Sequence, residues 1–292
     1  MRLRHRHFAC TAVLLLSIIG LGFALRADEG PQAQPPMPPN ELMREAIVNE
    51  IEHPKSSRFC IWMDRVEKPK GSWTRQMVGT PEGIIARLLA VNDKPLTPEQ
   101  RKTDDDRLNR LLDPAKMGQK TSQQRADEQR SQKLLRALPA AFDYTYSGSE
   151  IGPAGHHIVR LNFSPASGFA PPNFETQIYL AMKGQVWIDT EVMRVAKIDG
   201  TLFKDLNLGW GFIGKLNKGG RLVLVQGDVG NGHWDTTRLE LKFTGKVLLL
   251  KHLQLDETET EWDFHPVPKM SVKQAIELLR GGQLASTLSE GR

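Results

Sequence analysis

The sequence predicts an α+β fold that is mainly β and is built on one antiparallel sheet. Beyond Ala140, short β-rich segments bounded by Gly, Pro or Asp follow one another without helices between them, which favours hairpins over a parallel α/β sheet. Helical patterns are confined to the start, to residues 97–138 and to the end of the folded part. We therefore expect an antiparallel meander with a helical insertion.

The N-terminus has the features of a secretory signal peptide. Three arginines near the N-terminus precede an almost wholly apolar run from Phe8 to Leu25. Ala27 is a small residue of the kind that signal peptidase requires at its cleavage site. Residues 1–27 are thus predicted to be a cleaved leader, which would make the protein periplasmic. The alternative is an uncleaved membrane anchor, because the apolar run approaches the length that crosses a bilayer.

Removal of this leader also removes the apparent basicity of the chain. The full sequence has 39 Lys and Arg against 34 Asp and Glu, but four of the arginines precede Asp28. The mature chain therefore has 35 basic against 34 acidic residues. A chain so close to neutrality gives no electrostatic case for nucleic-acid binding.

A proline-rich linker and an amphipathic helix open the mature chain. Residues 28–40 contain the run GPQAQPPMPPN and are expected to be extended. Asn40 is a candidate N-cap for a helix over 41–52, whose apolar residues recur at helical spacing. Three strands are predicted next, at 59–64, 73–78 and 84–91.

The helical insertion spans about residues 97–138. Thr97 and Gln100 flank Pro98 in a capping-box pattern, and a second helix is expected over 122–138, closed by Pro139. The acidic run at 104–106 suggests a metal site at first sight. Adjacent helical residues point about 100° apart, however, so we interpret the run as a solvated charged turn.

Period-two alternation and turn residues predict the remaining strands. They lie at 142–147, 157–163, 176–182, 185–189, 193–198, 222–227, 233–243 and 247–256. The polar run 256–262 is expected at a solvated end or edge of the sheet. A final helix over 272–279 begins at a capping box of Ser271 and Gln274, so that one domain covers 41–282 and a tail covers 283–292.

A Gly-x-Gly-x-x-Gly pattern occurs at Gly209, Gly211 and Gly214. A dinucleotide site requires a helix after these glycines, whereas a poor helix start and the β-branched run 221–225 follow them. We interpret the glycines as turn positions and predict no cofactor. Cys60 is the sole cysteine of the mature chain and is interpreted as a small core residue.

Two neighbouring runs carry a resemblance to a known family. GQVWID at 184–189 and VAKIDG at 195–200 look like the hairpin of the outer-membrane lipoprotein-sorting proteins, the LolA-like group. GHWDTT at 232–237 is similar to a late strand of exported, mostly uncharacterised relatives. The resemblance covers about residues 140–264, although this chain is longer and has a larger helical insertion. It implies a half-barrel, in which an antiparallel sheet curls around helices.

The resemblance implies a binding protein without catalysis. The apolar cavity of such a half-barrel would hold an acyl chain, a lipid or a lipoprotein, with any membrane association transient. No metal is implied. Six aromatic side chains are candidate ligand contacts, with ordinary core packing as the alternative for each: Trp62, Trp73, Trp187, Trp210, Phe212 and Trp234.

Two other functions remain open. An envelope sensor or assembly partner would use the same fold to dock a protein through strand 256–262 and the proline-rich arm. A metal-dependent hydrolase would draw on a set of polar residues, namely His156, His157, Asp189, His233 and Asp235. Adjacent histidines on a strand point to opposite faces, and neither Gly-x-Ser-x-Gly nor His-Glu-x-x-His is present. We therefore expect that the protein is not an enzyme.

Overall fold

The computed structural model describes residues 37–53, 59–208, 214–230, 232–247 and 251–281, all within one compact unit. Its helices are α1 (Pro39–Glu52), α2 (Pro98–Arg110), α3 (Pro114–Ala141), α4 (Val272–Gly281) and a 3-10 helix (Glu175–Ala181). Its strands are β1 (Cys60–Lys68), β2 (Gly71–Thr80), β3 (Gly83–Val91), β4 (Lys94–Pro95), β5 (Phe142–Ile151), β6 (His157–Pro165), β7 (Met182–Asp189), β8 (Arg194–Leu202), β9 (Leu206–Leu208), β10 (Gly214–Leu216), β11 (Arg221–Asp228), β12 (Trp234–Val247) and β13 (Lys251–Pro266). The predicted leader and tail lie outside the described residues.

The strands form one antiparallel sheet of 13 strands that is not closed. Its spatial order is β4-β3-β2-β1-β13-β12-β11-β8-β7-β6-β5, and β9 and β10 form a side pair on β12. The last strand, β13, thus separates the N-terminal meander β1–β4 from the rest of the sheet. The predicted α+β, mainly β, curled antiparallel sheet is confirmed.

One face of the sheet, called here the inner face, is defined by a row of directly paired residues that crosses nine strands. Residues paired across antiparallel strands point to the same side, so the whole row shares one face. The row runs from β5 to β2 through Tyr146, Leu161, Val186, Ile198, Leu224, Leu239, Glu259, Val66 and Trp73. It is apolar from β5 to β12 and becomes partly polar at β13.

Helices cover the two faces at different places. On the β5–β8 side, α1 and the C-terminal part of α3 pack on the inner face and enclose a core that includes Phe142, Leu161 and Ile188. On the opposite face of β1–β3, a second core joins Ile61 and other strand residues to α2, α4 and the start of α3. The 28-residue α3 contributes to both cores and is about 42 Å long at 1.5 Å per residue.

Side chains from α2 and α3 cover the free edge of β3. Asp104 accepts a hydrogen bond from Leu88 N at 3.1 Å, and the Gln124 amide oxygen accepts one from Ile84 N at 3.3 Å. Arg107 donates to the backbone carbonyl of Ala86 in the same way. An edge strand with unpaired backbone groups invites pairing with another chain, and these helices remove that risk.

The prediction that residues 104–106 form a solvated turn is therefore wrong for Asp104. That side chain is 7% exposed, because its carboxylate bridges β3 and the guanidinium of Arg107. We expect Asp104→Ala to lower the free energy of unfolding by about 1–3 kcal/mol, since Leu88 N would lose its acceptor. Urea denaturation measures this loss, and exposed Asp106→Ala, the matched control, should change it little.

Most of the predicted helices and strands are confirmed, and the exceptions have local causes. Segment 176–182 was predicted as a strand but forms the 3-10 helix, in which Thr176 and Tyr179 are buried three residues apart. Asn40 does not cap α1. It lies inside the helix, and its side chain pairs with the backbone of β5, donating to Phe142 O and accepting from Tyr144 N, both at 3.2 Å.

Helix α3 begins eight residues before the predicted start and continues past Pro139. Asp113 is its N-cap and accepts a hydrogen bond from Ala115 N at 2.9 Å. Burial of Ala137, Leu138 and Ala141 in the first core holds the last turn in place despite the proline. Packing thus outweighs the local preference here.

The prediction that 256–262 is a solvated end or edge is wrong, because this run lies in the middle of β13, between β1 and β12. Its acidic side chains have partners on the neighbouring strand: Glu257 pairs with Lys68 at 2.9 Å, and Glu261 accepts from Trp62 Nε1 at 3.1 Å. Burial and the nearby Asp64 and Glu261 carboxylates raise the pKa of Glu259 to about 7.

Candidate ligand-binding site

A cavity of about 960 Å³ lies where three hairpin turns meet the C-terminal turn of α1. The turns are those between β5 and β6, between β7 and β8, and between β11 and β12. Its apolar wall consists of Pro153, Ala154, Ile158, Val192, Ala196, Val225 and Trp234. Its polar groups include His53, His156, Arg194, Gln226 and His233. The volume is at the upper end of the range of about 300–1,000 Å³ that small-molecule sites occupy.

A block of leucines continues the inner face away from this cavity. Gln226 lines the cavity, and Leu224 and Leu222 follow it on the same face of β11 at spacings of two residues. Leu239 and Leu241 are their direct partners on β12. All four leucines are only partly buried. The site thus has polar groups at the cavity and an apolar surface beside it.

A buried ion pair fixes the wall that α1 contributes. Glu50 accepts two hydrogen bonds from the Arg194 guanidinium, both at 2.9 Å, and the two side chains are only 8% and 10% exposed. Glu50 also accepts from Val195 N at 3.0 Å and from the Gln226 amide at 3.2 Å. One carboxylate therefore holds α1, β8 and β11 together beside the cavity.

Arg194 also shapes the cavity through Trp234. Its guanidinium carbon lies 6.0 Å from the centre of the Trp234 ring, within the range of a cation–π contact. The indole Nε1 of Trp234 is buried without a hydrogen-bond partner among the described residues. The Glu50–Arg194 pair thus supports an aromatic side chain of the cavity wall.

A histidine and a carboxylate meet at the opposite wall. His156 Nδ1 lies 2.8 Å from Asp189 Oδ2, and Asp189 Oδ1 accepts hydrogen bonds from Glu191 N and Val192 N in the β7–β8 turn. The hydrogen bond and charge of Asp189 raise the pKa of His156 above its ordinary value of 6.5. The imidazole of His156 therefore keeps its proton to a higher pH than an isolated histidine, and the neighbouring carboxylates offset its positive charge.

We expect Asp189→Asn to lower the pKa of His156 while the turn keeps its shape, because the amide oxygen can still accept from Glu191 N and Val192 N. Since the folded state raises this pKa, the pair stabilises the folded protein below about pH 6.5, and that stabilisation is lost as pH rises through the folded pKa. NMR titration of the imidazole signals, with His156→Gln for assignment, measures the shift. An unchanged His156 titration in Asp189→Asn would contradict the assignment, and the other histidine titrations serve as internal controls.

The predicted aromatic contacts do not gather at one place. Trp234 lines the cavity, whereas Trp62 is 2% exposed and stacks on Phe264 with ring centres 5.8 Å apart. Trp73 is half-buried on the inner face of β2, opposite Val66. Trp187 is on the outer face of β7, where Lys197 Nζ lies 4.4 Å from its ring centre. Trp210 and Phe212 lie outside the described residues.

The residues considered for a hydrolase are also separated. His156 and Asp189 meet, and Glu191 brings a third possible ligand atom within 4.8 Å of theirs. His157 is exposed, and its backbone N–H donates to Glu191 at 2.6 Å. His233 lines the cavity, whereas buried Asp235 lies close enough to Cys60 to help burial raise the pKa of that thiol.

The glycine pattern leads into a strand. Gly214 opens β10, which pairs with β9 and β12, so the described residues after the pattern do not form the helix that a dinucleotide site requires. Cys60 is buried, with 5% of its surface exposed, as its interpretation as a core residue predicted.

Glu50, Arg194 and Gln226 organise the cavity wall, but no pattern in the sequence singles them out. Glu50 and Arg194 are 144 residues apart, and neither lies in a motif. The one local indication of their role is the position of Glu50 in the last turn of α1, next to the apolar residues of that helix. Only the fold brings the three side chains together.

Comparisons with known proteins leave the function open. The chain matches no family model and no curated protein. It is similar to the crystal structure of a DUF1329 family protein from Desulfovibrio piger ATCC 29098, at 9% sequence identity over 80% of this chain and 96% of that chain. The TM-score of 0.28 is too low to support an argument. Among the described residues, no helix is long and apolar enough to cross a membrane.

Proposed function

We propose that the protein is an exported, non-catalytic binding protein that holds the acyl chain of an amphiphilic ligand, either a lipid or a lipoprotein. The observation that carries this proposal is the cavity of about 960 Å³ with its adjoining leucine block. The polar head of an amphiphile would lie among the histidines and Arg194. Its acyl chain would cover Leu224 and its neighbours on the inner face.

The energetics favour such a ligand. Each buried CH₂ of an acyl chain contributes about 0.8 kcal/mol, and the half-buried leucines would lose their remaining contact with water at the same time. The signal-like N-terminus supports a role outside the cytoplasm, where carriers shield acyl chains from water. Binding of this kind needs no catalytic group.

Palmitate is a direct probe of the acyl site. We expect it to change the tryptophan emission of the wild-type protein and of Trp187→Phe, whose ring lies on the outer face. The change should be much smaller in Trp234→Phe, because Trp234 lines the cavity. Lipid extraction of protein purified from cell envelopes, followed by mass spectrometry, identifies the natural ligand.

Two further variants separate binding in the cavity from nonspecific adsorption. Ala196→Phe fills the cavity and Leu224→Gln places an amide in the leucine block, so both should weaken palmitate binding at least tenfold. Leu89→Gln changes a leucine on β3 that is 36% exposed and should bind as the wild type does. Absence of palmitate binding to the wild type, or equal binding to all three variants, would refute the proposal.

A further inference from the structure

We propose that Asp64, Glu259 and Glu261 bind a divalent cation of the calcium type on the inner face, at the seam between β1 and β13. This site is separate from the cavity and does not depend on the proposed acyl binding. Its residues come from the N-terminal and C-terminal parts of the domain.

The sheet register brings these three carboxylates together. Asp64 on β1 is directly paired with Glu261 on β13, and Glu259 lies two residues before Glu261 on the same face. Each residue supplies one carboxylate oxygen, and these oxygens all lie within 4.8 Å of one another. Two oxygens that each lie about 2.4 Å from one calcium ion can be at most about 4.8 Å apart, so the spacing fits a shared ion.

The carboxylate of Asp64 is an independent indication of a bound ligand, because one of its buried oxygens lacks a partner among the described residues. The residue is 0% exposed, and its Oδ1 atom has no hydrogen-bond partner among the described residues. Its other oxygen, Oδ2, accepts from Arg75 Nε at 2.5 Å. Buried carboxylate oxygens are normally satisfied, so Oδ1 is available to a cation.

Arg75 contacts two of the three carboxylates. Its guanidinium reaches Asp64 and, at 3.4 Å, Glu259, while Glu261 accepts a hydrogen bond from the indole of Trp62. Arg75 uses Oδ2 of Asp64, so a divalent cation bound at Oδ1 would leave that hydrogen bond in place.

The donor set favours a hard cation. All three donors are carboxylate oxygens, which suit calcium, magnesium or manganese, whereas zinc favours histidine and cysteine. Calcium accepts six to eight oxygens in flexible geometry, and water can complete the shell because both glutamates are only partly buried. Magnesium demands closer, nearly octahedral contacts, so calcium fits best.

Calorimetry and thermal unfolding of the full chain, freed of metal with a chelator and held at pH 8, test the proposal. Calcium chloride at about 1–10 mM should raise the unfolding temperature, since calcium sites of extracellular modules bind with dissociation constants of about 10⁻⁴–10⁻³ M. Glu261→Gln should bind calcium at least tenfold more weakly while it keeps the Arg75–Asp64 pair. Asp256→Asn, also on β13 but outside the cluster, should bind as the wild type does.

Three results would overturn the calcium site. They are no binding heat and no thermal shift in the wild type, an equal dissociation constant in Glu261→Gln and wild type, and an equal shift with sodium chloride at matched ionic strength. Asp64→Asn is a second variant that should lose calcium binding. If it unfolds, Glu261→Gln alone still decides the question.

Discussion

Replacement of Glu50 by alanine is expected to lower the free energy of unfolding by about 3–5 kcal/mol, because it leaves the buried Arg194 guanidinium without its partner. The same change removes the acceptor of Val195 N and Gln226. Since these contacts hold α1 beside the cavity, palmitate binding should weaken as well. Urea denaturation gives the stability change.

Two comparisons isolate the ion pair from other effects of the substitution. Glu45→Ala removes an exposed acid from the same helix and should change stability little. Glu50→Ala combined with Arg194→Met should be less unstable than Glu50→Ala alone, because no buried charge remains unpaired. Equal stability of Glu45→Ala and Glu50→Ala would refute this role of Glu50.

Phe142→Ala is expected to cost about 3–5 kcal/mol, the usual range for removal of a buried aromatic ring. Phe142 is 1% exposed, and its ring centre lies 4.7 Å from that of Phe163 and 5.1 Å from that of Tyr179. It also directly follows the last residue of α3, so its ring anchors the junction between α3 and β5. Thermal or urea unfolding measures the loss.

Phe174→Ala is the matched control, because Phe174 is 44% exposed. A loss in Phe142→Ala no larger than that in Phe174→Ala would show that the aromatic cluster does not stabilise the junction. Phe142→Leu, which keeps most of the buried volume, should lie between the wild type and Phe142→Ala.

Local sequence patterns predicted the elements of this fold much better than their arrangement. Alternation identified β12, and the capping boxes located the starts of α2 and α4, because these signals involve residues only a few positions apart. Residues 256–262 were misplaced because polarity alone suggests exposure. Their acidic side chains instead find partners on β1, which sequence polarity does not indicate.

The candidate site was less predictable for the same reason. Trp234 was identified because aromatic residues are common at ligand sites, yet the same argument selected Trp62, which packs in the interior. The Glu50–Arg194 pair depends on how α1 packs on the sheet, and the cluster of Asp64, Glu259 and Glu261 depends on strand order. Contacts between residues separated by 144 positions or more leave no local pattern to read.

The position of β13 has a consequence for how the chain folds. Strand β1 pairs with β2 on one side and with β13 on the other, so one of its partners is synthesised long after it. Contacts between residues so distant in sequence make folding slow, and an unpaired strand edge invites association with other chains. Until residue 266 is available, β1 has one uncovered edge in a partly folded chain. Pairing of β1 with β13 therefore has to wait for the later strand, and a factor that delays collapse of the nascent chain would favour correct pairing.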